Sequence, residues 1–322
     1  MKGVDDELPA MKLRTAAAGA LGTAGAAVLG NRLLRRRAGD LENPLPGVER
    51  TYRWRGMDVS YTVAGDPDAP DMLLCHGVHA AGSANEFEPI FERLAESYHV
   101  FAVDLPGFGR SDRPPLEYSA RLYGDFVREF AADVTDSPVV VASSLTGSFA
   151  VQAADGGDFD RLVLICPTAD TGTERPWLRT LFRTPVVGTT LFNLLSSKPS
   201  IRYFYDRDGY YDPVNIDEQQ VSYAWQSAHQ PGARYAPGSF AAGTLDPDES
   251  FDLQTELAAL ETPTTLVWGR DAELVPLRDG RNMAEAADLD LVVVDYSTLL
   301  PHAEHPEKFV EYLTAELPAL EE

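Results

Sequence analysis

Residues 139–150 read Val-Val-Val-Ala-Ser-Ser-Leu-Thr-Gly-Ser-Phe-Ala. The β-branched and apolar run 139–142 predicts a buried strand, and 145–154 predicts a helix, with almost nothing between them. A chain that turns from strand to helix within about three residues crowds the neighbours of the turning residue and holds its side chain above the sheet edge. Ala142, Thr146 and Gly147 are small enough to relieve that crowding around Ser144. Ser144 also falls in the first turn of the helix, where backbone N–H groups without partners can receive a developing negative charge. The chemistry that suits this arrangement is nucleophilic attack by the Ser144 hydroxyl. A serine that merely caps the helix would use the same residue types, so the rest of the chain must decide.

Other residues with chemical potential are few. Cys75 and Cys166 each end a predicted buried strand and have no metal-like spacing, so they read as small core residues of a reducing compartment. His302-Ala-Glu-His305 lacks the second motif that a zinc helix needs, and no metal or cofactor is expected. The formal charge of −23 rests on 50 acidic residues against 27 basic ones, of which only Lys2, Lys12, Lys198 and Lys308 are lysines. Such a surface repels itself in dilute salt and suits the cytoplasm of a halophile, where the Debye length is roughly 3 Å. The same charge argues against nucleic acid as a partner.

These side chains need elements to hold them. Residues 1–47 read as an acidic leader expected to be disordered over 1–10, then an Ala/Gly-rich run at 15–30, then a linker at 41–47 containing Pro44 and Pro46. Lys12 and Arg14 precede the apolar run, and Arg32, Arg35, Arg36 and Arg37 follow it, so residues 12–37 form a candidate membrane helix. Its length falls short of the roughly 20 residues that span hydrocarbon unless Leu33 and Leu34 extend it. The heavier basic flank would keep the main domain on the cytoplasmic face.

Residues 48–169 and 251–322 read as one α/β core. Strands are expected at 50–55, 59–64, 72–75, 100–104, 139–142, 161–165, 264–268 and 291–294, the first two as a hairpin turning at Gly56. Helices are expected at 88–98, 119–134, 145–154 and 306–317. Strands alternating with helices predict a mostly parallel eight-stranded sheet covered on both faces, with ligands beyond the carboxyl ends of the strands. Residues 170–250 break the pattern with Pro- and aromatic-rich helical fragments, which predict a helical lid insertion.

His76-Gly77 follows the third strand, Asp104-Leu-Pro-Gly-Phe-Gly-Arg-Ser-Asp112 the fourth, and Trp268-Gly-Arg-Asp and His305-Pro-Glu come later; with the elbow and these motifs in this order, residues 51–317 resemble the α/β-hydrolase superfamily in its lidded, esterase-like branch. His76-Gly77 after the third strand is similar to the family's oxyanion loop, and Asp104-Leu-Pro-Gly-Phe-Gly-Arg-Ser-Asp112 to the loop after the fourth. Trp268-Gly-Arg-Asp-Ala-Glu-Leu-Val-Pro276 resembles the loop that carries the triad acid. Pro301-His-Ala-Glu-His-Pro-Glu-Lys-Phe309 resembles the stretch just after the triad histidine. The resemblance implies Ser144 as nucleophile and the N–H groups of Val78 and Leu145 as oxyanion donors.

It also exposes a departure. The family's acid falls three residues after the glycine of Trp-Gly, which here is Ala272. Its histidine falls seven residues before the proline of His-Pro-Glu, which here is Leu299. A serine without a base is a poor nucleophile at neutral pH. Substitutes stand nearby: Asp271 and Glu273 flank Ala272, and a helical turn over 297–302 would bring His302 toward position 299. His79, His229 and Asp170 are weaker substitutes. The resemblance therefore implies a serine hydrolase of carboxylic esters or related acyl bonds, with His302 as a displaced base oriented by Asp271. The alternative is a catalytically silent protein that binds an apolar ligand or a protein partner.

Overall fold

The computed structural model describes residues 7–248 and 250–316, with side chains from 23 to 314. Residues 1–6 of the expected leader lie outside the described residues. Residues 7–10, expected to be disordered, instead open a long helix, α1 (Glu7–Ala38). No helix among the described residues is long and apolar enough to cross a membrane. The expected span is thus corrected: Ala and Gly bring too little hydrocarbon to offset the cost of insertion. Coil over 41–47 leads into the sheet.

The eight expected strands all form. They are β1 (Val48–Trp54), β2 (Met57–Ala64), β3 (Asp71–Cys75), β4 (His99–Val103), β5 (Val139–Ser143), β6 (Arg161–Ile165), β7 (Thr264–Gly269) and β8 (Asp290–Val294). Their order across the sheet is β1-β2-β4-β3-β5-β6-β7-β8. β2 pairs antiparallel with β1 and with β4, and every later pairing is parallel. The hairpin closes with Trp54 opposite Met57. Arg55 and Gly56 both have positive φ, 47° and 84°, the backbone that a two-residue turn of matching twist requires.

Alternation along the central strands feeds two cores. Leu73, Val140 and Leu162 point to the face covered by α3 (Ala120–Val134) and α4 (Thr146–Ala154), where they meet Phe126, Phe130 and Phe149. Met72, Leu74, Val141 and Val163 point to the other face, against Phe87, Ile90, Phe91 and Phe309. Those rings belong to the segment around α2 (Glu88–Leu94) and to the last helix, α13 (Pro306–Glu316). Strands buried on both faces read as continuous apolar runs, which is why they were legible in the sequence.

Between β6 and β7 the chain leaves the sheet and builds α5 (Pro176–Arg183), α6 (Val187–Leu195), α7 (Lys198–Phe204), α8 (Glu218–Ala228) and α9 (Tyr235–Ala241). Phe182, Phe192, Ile201, Tyr205 and Val221 give these helices a core of their own. Arg113 binds them to the main domain by donating to Ser227 O at 2.6 Å. The remaining helices are α10 (Leu253–Ala259), α11 (Leu277–Ala287) and the single turn α12 (Pro301–Glu304). The chain passes from β3 to β4 on one side and reaches β5 on the other, so the loops after β3 and β5 diverge and leave a crevice.

Candidate active site

β5 ends at Ser143, and Ser144 follows with φ 55° before α4 begins at Thr146. That left-handed backbone costs a non-glycine residue of order 1–3 kcal/mol and persists only where its surroundings enforce it. The enforcement is visible. Ser144 N–H donates to Ile165 O at 2.8 Å, and Ser144 O accepts from Gly147 N–H at 2.9 Å. A Cβ on Gly147 would lie 2.8 Å from Pro167 Cβ, so the close approach of α4 to the loop after β6 needs glycine there.

The loop after β3 is tied to this elbow. Thr146 donates its hydroxyl to His76 O at 2.7 Å. His76 Nε2 accepts from Leu105 N–H at 3.1 Å, so Nδ1 carries the proton and donates to Gly77 O at 2.8 Å. Burial pushes the His76 pKa down, and the ring is a neutral strut rather than a base. Asp104 completes the frame, accepting from Ala84 N–H at 2.8 Å and from Arg110 Nε at 3.0 Å. Held this way, the N–H groups of Val78 and Leu145 donate to no protein acceptor among the described residues.

The residue that sequence reasoning missed is Glu86. It lies just before α2, is nearly closed to solvent, and accepts from Gly77 N–H at 2.9 Å through Oε2. Its other oxygen, Oε1, is 3.4 Å from His302 Nε2, an ion-pair contact rather than a well-formed hydrogen bond. Burial acts to raise the Glu86 pKa, but His302 and the Ser143 hydroxyl outweigh it and hold the carboxyl below its ordinary value. His302 is 0% exposed between Phe87 and Phe309, ring centroids 5.3 and 5.7 Å away.

The other candidate acids and bases are placed elsewhere. Asp271 is exposed, and its backbone N–H donates to Ser297 O at 2.9 Å. No ion pair joins it to His302 among the described residues: the pairing expected for these two is replaced by His302 with Glu86. The physical reason is the turn. α12 starts at Pro301, one turn later than the 297–302 helix that the expectation required, and it sends His302 toward α2. Glu273 and Asp170 are also exposed, and Asp170 caps a turn through Gly172 N–H. His229 is buried in the inserted helices with Nδ1 on Trp225 O at 2.7 Å. Cys75 and Cys166 are buried thiols pushed up to about 12, unreactive as expected of core residues.

Ser144, Glu86, Val78 and His79 share one cavity of about 100 Å³. Phe204, Tyr205, Tyr210 and Ala224 from the inserted helices close it, and Leu299 and Leu300 form an apolar wall. His79 is the one imidazole that lines it among the described residues. Its Nδ1 accepts from Ala81 N–H at 3.3 Å, and its ring stacks on Phe204 at 5.7 Å. Burial lowers its pKa to about 4, against a smaller opposing pull from Glu86. At neutral pH it is an uncharged ring whose Nε2 carries a proton, a donor rather than an acceptor.

Leu299 is held in the wall by Glu304, which accepts from Ser297 Oγ at 3.0 Å, Thr298 N–H at 2.9 Å and Tyr211 N–H at 2.6 Å. Gly269 at the end of β7 lets this loop approach: a Cβ there would fall 1.9 Å from Thr298 O.

A strained serine at a strand-to-helix elbow, beside free N–H groups at the crevice of a mostly parallel sheet, defines an α/β-hydrolase-fold protein. Residues 72–312 match the pattern of the alpha/beta hydrolase family, and the chain belongs to that family. It is 24% identical over 282 residues to 2-hydroxy-6-oxo-6-(2'-aminophenyl)hexa-2,4-dienoic acid hydrolase of Metapseudomonas resinovorans, covering 81% of this chain and 88% of the relative. It is 25% identical over 252 residues to the pimeloyl-[acyl-carrier protein] methyl ester esterase of Aliivibrio salmonicida, covering 76% and 91%. Among solved structures it is similar to a 2-hydroxy-6-oxo-6-phenylhexa-2,4-dienoate hydrolase from a Rhodococcus species. That match has a TM-score of 0.70 and 22% identity, over 85% of this chain and 100% of the other. The curated relatives named here are hydrolases.

Proposed function

We propose that the chain is a serine hydrolase of carboxylic esters or related acyl bonds, with Ser144 as nucleophile. The observation that carries this reading is the Ser144 backbone, held at φ 55° beside two N–H groups, Val78 and Leu145, that have no protein acceptor. A tetrahedral intermediate formed on Ser144 would place its oxyanion between those donors. The buried Glu86–His302 pair takes the part of the missing base. Glu86 lines the cavity with Ser144 and its Oε1 faces His302 Nε2 at 3.4 Å, so a proton leaving the Ser144 hydroxyl has a carboxylate to accept it and an imidazole behind that carboxylate. Asp271 has no place in this arrangement. Helices α5–α9 serve as the lid, and the small cavity they close favours short acyl groups. Placement in the cytoplasm, with residues 12–37 at the membrane face, belongs to the same reading, as does adaptation to high salt.

The test is a fluorophosphonate probe applied to the purified protein in high salt. Labelling that disappears in Ser144→Ala supports the reading, and absence of labelling beside a reactive control enzyme refutes it. A second reading, a pocket without turnover, is favoured by Leu299 in the wall where the family's base would stand. That reading requires an apolar ester to bind intact and be recovered unchanged.

A further inference from the structure

The acidic character of the chain is not evenly spread. Residues 8–39 contain six basic and no acidic side chains, and residues 175–205 contain five basic and none acidic. The remaining residues therefore carry −34 of a total of −23. The two acid-free segments are far apart in sequence and meet in the structure. Asn31 of α1 donates to Thr190 Oγ1 of α6 at 3.0 Å and accepts from Asn193 Nδ2 of α6 at 2.9 Å.

The contact fixes which side of α1 faces out. Asn31, Leu34 and Ala38 form the inner face, while Leu29 and Leu33 lie opposite, 66% and 52% exposed. A Cβ on Gly25 or Gly30 would meet nothing within 4 Å. On α6, Leu194 and Leu195 follow Asn193 directly and are 66% and 55% exposed. Arg32, Arg35, Arg36 and Arg37 are exposed and have no acidic partner among the described residues, in a chain with 50 acids to choose from.

We infer that α1 and α6 together form a docking surface for an anionic lipid bilayer. Exposed leucines beside unpaired arginines match the two forces that hold a helix in the membrane interface: apolar burial and attraction to anionic headgroups. An acidic chain that keeps acids out of these two segments lessens the repulsion that would oppose docking there. The inference deepens the membrane placement proposed above for residues 12–37 by adding the second wall, α6. α8, which carries the cavity residue Ala224, packs beneath the same helix α1. The docked bilayer therefore lies on the outer side of the proposed lid.

The experiment is flotation of the full chain with extruded vesicles of phosphatidylglycerol or of phosphatidylcholine, at the lowest salt that leaves its circular dichroism unchanged. At least tenfold more protein should float with phosphatidylglycerol. Replacing Arg32, Arg35, Arg36 and Arg37 by Gln should cut that by about tenfold or more. Leu29→Ser with Leu33→Ser, and separately Leu194→Ser with Leu195→Ser, should each cut it several-fold with circular dichroism unchanged. Equal flotation with both lipids, or none, overturns the inference. Loss in the α1 variants but not in the α6 pair also overturns it, because α1 alone would then be the tether. A self-associated species in sedimentation velocity that Leu33→Ser dissolves, without flotation, would assign the face to a second copy instead. None of these readouts depends on turnover, so they stand apart from the hydrolase test.

Discussion

His302 Nε2 lies 3.4 Å from Glu86 Oε1, with the imidazole shut away from solvent between two phenylalanine rings. A carboxylate and an imidazole at that depth are costly to separate, because removing either side chain leaves the other buried without its partner. In this chain the pair also touches the nucleophile's neighbourhood through Ser143 and Gly77.

Glu86→Gln and His302→Leu should each lower stability by roughly 3 kcal/mol or more, whereas the double substitution should cost less than the two added together. Denaturant melts of the four proteins form the cycle. On the proposed mechanism both single variants also lose ester hydrolysis by about 10²-fold or more, while Ser144→Ala loses hydrolysis with little change in melting. Additive melts would mean that the two side chains do not act as a pair.

Stability should fall as pH is lowered from neutral, in two stages. His79 has its pKa lowered from 6.5 to about 4 by burial, so between those values the unfolded chain takes up a proton that the folded chain refuses. That loss is complete by about pH 4. Glu86, held below its ordinary value of 4.5, adds a further loss once the pH passes below that value, because its contribution is present above the unfolded pKa and disappears as the carboxylate is protonated. Thermal melts across pH 7 to 3 measure the sum, and His79→Gln should shrink the upper stage, to which His76 and His229, both also pushed down by burial, contribute the rest.

Gly269→Ala should damage the site without touching it. A Cβ at that position meets Thr298 O at 1.9 Å and Ser297 O at 2.6 Å, so the loop carrying Leu299 must move. We expect a loss of several kcal/mol and a cavity that binds apolar esters more weakly, read by melting temperature and by ligand titration.

A net charge of −23 predicts that added salt raises the melting temperature steeply up to about 1 M and then more slowly, as the Debye length shrinks from roughly 10 Å to 3 Å. A melting temperature indifferent to salt would remove the case for a saline cytoplasm.

The elements were legible because their signals are local. Val139, Val140 and Val141, β-branched and bounded by a turn, read as a buried strand, and the abrupt change to small residues around Ser144 announces the turn. The hairpin at Arg55 and Gly56, the helices beside the sheet and the helical insertion follow from equally short stretches. The turn that carries His302 starts a few residues later than expected, since Pro301 starts a helix as readily as it interrupts one, and that shift turns His302 away from position 299.

By itself, then, the sequence determined the fold, the serine at its elbow and the absence of an acid and a histidine at positions 272 and 299, since each of these is a matter of residue type along a few consecutive positions. Only the tertiary structure decided which carboxylate meets His302. Glu86 is 216 residues away along the chain, and neither its polarity nor its spacing marks it among 50 acids. What brings it there is the packing of the segment around α2 against α12 and α13, which closes Phe87 and Phe309 over one imidazole and leaves the Glu86 carboxylate facing it.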